Sequence, residues 1–169
     1  LEGVDPAESF PREAAEAKAL GFRAVKIRIG GQPIRKDLEA ITAVRDVLGP
    51  DIKLMADGNG SYTLGSAIEM GRELERLGLY WFEEPLPQSV PEYTAYEVLT
   101  EKLDIAIAAC EGLTSRGMFK EAITRRAMDI VQPDVSLAGG IGECLFVAEL
   151  ARLWGIQCVP HIWAGGLVT

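Results

Sequence analysis

One period governs this chain. Six short runs rich in β-branched and other apolar residues occur at Arg23 to Ile29, Ile52 to Ala56, Leu79 to Phe82, Ile105 to Ala109, Asp129 to Pro133 and Ile156 to Pro160. Between them lie segments whose apolar residues recur at helical spacing. Arg35 to Leu48 carries Leu38, Ile41, Val44 and Leu48 and is stopped by Gly49-Pro50, and Leu64 to Leu77 carries Ile68, Leu74 and Leu77 ahead of Gly78. Pro91 to Leu103, Ser115 to Ala127 and Ile141 to Trp154 complete the series, Pro91 suiting a first helical turn and Gly155 a helix end. A leading helix is expected from Pro11 to Leu20. The order is an α helix, five βα units and a last strand, a pattern that demands parallel strands with right-handed crossovers.

Polar residues recur with the same period. Arg28, Asp57, Glu83, Glu111, Asp134 and His161 are separated by 29, 26, 28, 23 and 27 residues, and each falls at or just past the C-terminal end of a strand. Taken singly, each has a bland reading. Asp57 in "DGNGSYT" suits a turn, Glu83 and Glu84 before Pro85 suit a solvated loop, and a lone histidine is commonly structural. Six coincidences with one period are hard to generate that way. A doubly wound sheet binds ligands near one switch point and needs no polar group at six successive strands, whereas a TIM-type barrel builds its site from many strand ends. The expected fold is therefore an α/β, TIM-type (β/α) barrel of parallel strands.

Bulk properties narrow the ligand. The 169 residues are 48% apolar and 25% charged with a net charge of −8, and no run of Lys or Arg suggests a nucleic-acid or anionic-membrane surface. A small molecule is the expected partner, with no nucleic acid and no membrane. Cys110, Cys144 and Cys158 show no metal-ligand spacing; an odd count in apolar contexts reads as small core residues in a reducing, cytoplasmic setting. Neither a membrane-length apolar run nor a signal peptide is visible. The chain opens on Leu1 without an initiator Met and is expected to be a piece of a longer protein, with residues 1–169 forming one partial barrel domain.

Asp57, Glu83 and Glu111 end three consecutive strands, about 5 Å apart in a sheet, so their carboxylates are expected to converge. Three carboxylates in a partly dry site need a cation, and all-oxygen ligation selects Mg²⁺ before Mn²⁺. Glu83 is chosen over Glu84 because alternation turns neighbours to opposite faces; Glu84 is left for loop or supporting duty. Asn59 is placed to contact ligand or metal. Alternation also sends Lys26 and Arg28 inward and Val25, Ile27 and Ile29 toward the helices. Asp134 and His161 end adjacent strands, where the carboxylate can fix the imidazole tautomer and raise its basicity. This set suits removal of a proton α to a carboxylate.

The ordered motifs "KIR", "DGN", "WFEEP", "ACE", "QPDVSLAGG" and "VPHIW" resemble the catalytic barrel of the enolase superfamily, and the Asp-then-His pair is similar to its mandelate racemase subgroup. The resemblance implies a Lys or His base beside one or two Mg²⁺ ions, which is the general arrangement of that superfamily's sites. It further implies Asp57, Glu83 and Glu111 as metal ligands, Asp134 and His161 as a catalytic dyad, and Lys26 and Arg28 on the family's Lys-x-Lys motif. Arg28 departs from that motif, since a guanidinium is a poor general base. The resemblance also implies an N-terminal capping domain and first and last barrel strands that this chain does not show, leaving about six of eight strands. A homo-oligomer is expected for the full-length protein.

The reaction turns on Arg28. Racemisation or epimerisation needs an acid/base group on each face of the substrate, and only His161 is clearly one. Dehydration of an acid sugar needs a base for the α-proton and an acid for the leaving β-hydroxyl, which one histidine can be in turn. Lys26 and Arg28, with Asn59, then bind the substrate. The expected activity is therefore a hydro-lyase giving a 2-keto-3-deoxy acid, with a racemase or epimerase as the runner-up. Cycloisomerisation is placed further off, and a catalytically silent barrel used for binding or assembly is the alternative of another class.

Overall fold

The computed structural model describes residues 6–87 and 93–163. The chain divides into two compact units, Leu1–Pro87 and Gln88–Thr169, a boundary that no Gly/Ser-rich stretch marks.

The first unit contains α1 (Pro6–Ala19), β1 (Ala24–Arg28), α2 (Ile34–Leu48), β2 (Lys53–Asp57), α3 (Leu64–Arg76) and β3 (Trp81–Glu83). Its strands are parallel in the order β1-β2-β3, in register from Ala24 opposite Lys53 to Arg28 opposite Asp57, and then Asp57 opposite Glu83. Ile41, Val44, Leu54, Ala67, Met70, Leu74 and Phe82 are fully buried, the helical and strand periods of the sequence meeting in one core. Burial of a side chain such as Leu54 or Phe82 contributes roughly 1.5–3 kcal/mol. Helix α3 starts on a reciprocal cap in which Ser66 N donates to Thr63 Oγ1 and Thr63 N to Ser66 Oγ. Arg45 ties the far end together by donating to the carbonyls of Gly49, Ile52, Leu77 and Gly78.

The leading helix begins at Pro6 rather than at Pro11. A proline inside a helix forgoes one hydrogen bond, yet its fixed φ is helical, so Pro11 is carried where a start was expected.

The second unit contains α4 (Tyr93–Lys102), β4 (Ala106–Ala109), α5 (Arg116–Thr124), β5 (Ile130–Val131), α6 (Ile141–Trp154) and β6 (Gln157–Cys158). Its strands are parallel in the order β4-β5-β6. Strands β5 and β6 are shorter than expected because prolines at 133 and 160 interrupt the donor row. Hydrogen bonding nonetheless runs on past them, from Gln132 N to Ala109 O at 2.9 Å, Val159 N to Val131 O at 3.0 Å and His161 N to Pro133 O at 3.1 Å. Helix α5 stops at Thr124, short of the expected Ala127, where Arg126 turns left-handed at φ 54°. The expected helix start at Pro91 lies outside the described residues. Cys110 is buried, whereas Cys144 and Cys158 are only half-buried, and none of the three forms a disulfide.

Candidate active site

Register builds the cluster of the first unit. Arg28, Asp57 and Glu83 are successive partners across β1, β2 and β3, so their side chains share a sheet face, and Lys26 joins them by alternation. Asp57 is 6% exposed and Glu83 0%. Bare carboxylates at such burial are costly, and two cations answer them. Lys26 Nζ forms an ion pair with Glu83 Oε1 and lies 3.9 Å from Asp57 Oδ2, while Arg28 Nη2 lies 3.3 Å from the same Asp57 oxygen. The remaining Glu83 oxygen, Oε2, accepts a hydrogen bond from Trp81 Nε1 at 2.9 Å.

Asp57 serves the turn that its sequence context suggested. Its Oδ1 accepts the backbone N–H of Asn59 at 2.9 Å and closes the turn, leaving Oδ2 for the cations. Asn59 itself is exposed and left-handed at φ 43°, so the contribution seen here is made by its backbone. Glu84 is buried and also left-handed, at φ 40°. Loop duty falls to its backbone: Gly58 N donates to Glu83 O at 2.8 Å, Gly60 N to Glu84 O at 2.7 Å and Tyr62 N to Pro85 O at 3.1 Å. That zipper explains "DGNG". A Cβ at position 60 would stand 3.0 Å from Pro87 Cα, and one at 58 would stand 3.2 Å from Glu84 O.

The cluster of the second unit rests on a histidine between two carboxylates. Asp134 and His161 form a parallel bridge beyond β5 and β6, and His161 Nδ1 lies 2.8 Å from Asp134 Oδ2. His161 Nε2 lies 3.3 Å from Glu111 Oε2, two residues past the end of β4. The other Asp134 oxygen, Oδ1, accepts from Ser136 N at 2.8 Å, Leu137 N at 3.3 Å and the Ser136 hydroxyl. Burial pushes the Asp134 carboxyl up, but the hydrogen bonds from Ser136, His161 and Leu137 together outweigh it and hold the group below its ordinary range. Asp134 is thus a fixed anion that commits the imidazole's Nδ1 and leaves Nε2 as its working atom.

Apart from Asn59, each sequence-predicted side chain therefore falls in one of two clusters: Lys26, Arg28, Asp57 and Glu83 in the first unit, and Glu111, Asp134 and His161 in the second. Within either unit, among the described residues, no group of three His, Cys, Asp or Glu side chains is drawn together as a ready cation cage. Asp57 and Glu83 are an adjacent pair of oxygen donors, which suits a hard divalent ion better than zinc. Sequence reasoning missed Trp81 and Ser136. Both carried a signal: Trp81 is two residues before Glu83 on the same strand face, and Ser136 is two residues after Asp134, the spacing of an Asx turn. The second unit also has a polar cleft lined by Glu97 of α4 and by Arg125, Asp129 and Ile156, and the last three follow helices and precede strands, the wrong end for a barrel's site.

Residues 9–169 match the family model described as enolase C-terminal domain-like, and the chain belongs to that family. It is 39% identical over 160 residues to the arabinonate dehydratase of Saccharolobus solfataricus, covering 95% of this chain and 42% of that protein. It is 40% identical over 167 residues to the D-galactarolactone cycloisomerase of Agrobacterium fabrum, covering 98% and 43%. Among solved structures, the L-talarate dehydratase of a Polaromonas species, complexed with Mg and L-glucarate, superimposes with a TM-score of 0.88 at 31% identity, covering 96% of this chain and 45% of that one. The chain thus spans less than half the length of these relatives. Its six parallel strands belong to the α/β barrel architecture of the mandelate racemase/muconate lactonizing branch of the enolase superfamily.

Proposed function

We propose that this chain carries the catalytic residues of a Mg²⁺-dependent acid-sugar dehydratase, with Asp57, Glu83 and Glu111 as the metal ligands and His161 as acid and base. The single observation that carries the reading is the setting of His161, whose Nδ1 is committed to Asp134 while Nε2 faces Glu111. A bound Mg²⁺ supplies positive charge that lowers the cost of electron density on the substrate carboxylate. The protein's own groups do the rest. Nε2 of neutral His161 accepts the α-proton, and Asp134 stabilises the imidazolium that forms. The same Nε2–H then protonates the departing β-hydroxyl, so one α-hydrogen and one hydroxide leave as water and the resulting enol tautomerises to the 2-keto-3-deoxy acid. Lys26 and Arg28 bind the substrate carboxylate, and Asn59 lines the same end of β2.

A second reading has its own support. A cycloisomerase relative is as similar as the dehydratase relative, which moves cycloisomerisation nearer than expected. Incubating the full-length protein with Mg²⁺ and a library of aldonates, aldarates and their lactones, and trapping 2-keto products with semicarbazide, separates the readings. A keto acid formed from an open-chain acid sugar is the expected result. Turnover of a lactone alone promotes the cycloisomerase, and inversion without a keto product promotes the epimerase. Unchanged binding of carboxylates after loss of Asp57, Glu83 and Glu111 would identify a silent binding module.

A further inference from the structure

Glu83 is unusual among the site's acids in being wholly removed from solvent, and β3, which carries it, has only three residues. So short a strand fixes a backbone but leaves a glutamate's side-chain torsions free. Something else must orient the carboxylate. Trp81 sits two residues earlier, on the same sheet face, 9% exposed and tilted against Tyr80 at 5.5 Å between ring centroids. Its indole N–H is a donor that a buried tryptophan must satisfy, and it is satisfied by Glu83 Oε2 at 2.9 Å.

We propose that Trp81 is a positioning residue for metal binding. By holding Oε2, the indole fixes the plane of the Glu83 carboxylate and turns Oε1 toward Lys26 and the neighbouring Asp57, where a cation is to be received. The inference rests on the reading of Glu83 as a ligand. A charge-assisted hydrogen bond in a dry setting is strong and directional, and outer partners of ligating carboxylates typically govern metal affinity by 10–100-fold. A tryptophan suits the position because it donates without accepting. It cannot compete for the ion.

The test is Mg²⁺ titration by calorimetry on the full-length protein, wild type against Trp81→Phe, which keeps an aromatic ring and removes the N–H. Affinity should fall by about 10–100-fold, and the thermal midpoint without Mg²⁺ should also drop, because a charge-assisted hydrogen bond to a buried carboxylate is lost. In a Glu83→Gln background the same substitution should add almost nothing, a coupling that a merely structural ring would not show. Wild-type affinity in Trp81→Phe would overturn the positioning role and leave the metal reading standing; no Mg²⁺ binding by the wild type would overturn both. Should Trp81→Phe fail to fold, the indole N–H of wild-type protein labelled with ¹⁵N-tryptophan gives the answer. Nuclear Overhauser contacts to the neighbouring Tyr80 ring assign the Trp81 signal. That signal should shift on Mg²⁺ addition and on Glu83→Gln, and indifference to both would overturn the proposal.

Discussion

The two units bury acidic groups by different means. In the first, charge is answered by charge across strands: β1 delivers Lys26 and Arg28 to carboxylates on β2 and β3, and the ladder register alone decides which cation meets which anion. In the second, Asp134 is answered by hydrogen bonds from its own turn and from one imidazole, just beyond strands only two residues long. A lysine can leave its partner when a stronger cation or a substrate arrives. Donors fixed in a turn cannot. The first arrangement is therefore suited to exchanging ligands, the second to holding one side chain in one orientation while protons come and go.

The largest effect should come from breaking the second arrangement. His161→Asn should lower turnover by on the order of 10²–10⁴-fold, the usual contribution of a positioned acid/base group, and leave Mg²⁺ binding largely intact. Asp134→Asn should also be severe but leave a residual rate. An amide keeps an oxygen for Ser136 and Leu137 and so points its NH₂ at Nδ1, favouring the tautomer whose Nε2 already holds a proton. Steady-state kinetics with deuterium exchange at the substrate α-carbon measures this directly. Wild-type exchange in His161→Asn would remove histidine from the mechanism.

Next in size is a contrast inside the first arrangement. Lys26→Met removes the ammonium from a carboxylate with no solvent exposure, which should cost on the order of 3 kcal/mol of stability. Added Mg²⁺ should restore much of it, since a ligand that binds only the folded state stabilises it. Arg28→Gln should cost at most about 1 kcal/mol, because the Arg28 side chain is 66% exposed and its pairing with Asp57 is screened. Urea unfolding of both variants, with and without Mg²⁺, checks the ordering. Equal costs would show that cross-strand pairing, and not burial, sets the energetics.

How much of this was legible in the sequence follows the same division. The order of helices and strands was readable because β-branched runs and helical spacing are local signals, and the strand-end rule placed Asp57, Glu83, Asp134 and His161 in their clusters. The pairing of Lys26 with Glu83 was not readable, since alternation gives a face but not which of two neighbouring carboxylates a flexible lysine reaches. Asn59 shows another gap. Its position two residues after Asp57 suggested a side chain aimed at ligand, whereas its left-handed backbone and the N–H given to Asp57 are turn properties that depend on the β3 exit running alongside. The boundary near Pro87 and the start of α1 were missed although both carry a proline signal, Pro85, Pro87 and Pro91 crowding the boundary and Pro6 suiting a first helical turn.

The finest test of the contrast between the units is the acid limb of stability. Asp134 has a folded pKa below its unfolded value of 3.8, so its contribution is present above that value and is lost as pH falls through the lower folded one. Asp37, in the first turn of α2, runs the other way. Burial pushes it up, against the lowering influence of the Gly30 N–H at 2.8 Å and the Tyr62 hydroxyl at 3.3 Å. Between 3.8 and its raised folded value the native state holds a proton that the unfolded chain has released, so stability falls there as pH rises. Removing each group should therefore tilt the acid limb in opposite senses: Asp134→Asn should make stability rise less steeply with pH, and Asp37→Asn more steeply. Urea midpoints collected from about pH 3 to pH 7 resolve the two slopes. If both variants tilt the limb the same way, the burial of Asp37 is being offset by its two donors, and the first unit holds that carboxyl as the second holds Asp134.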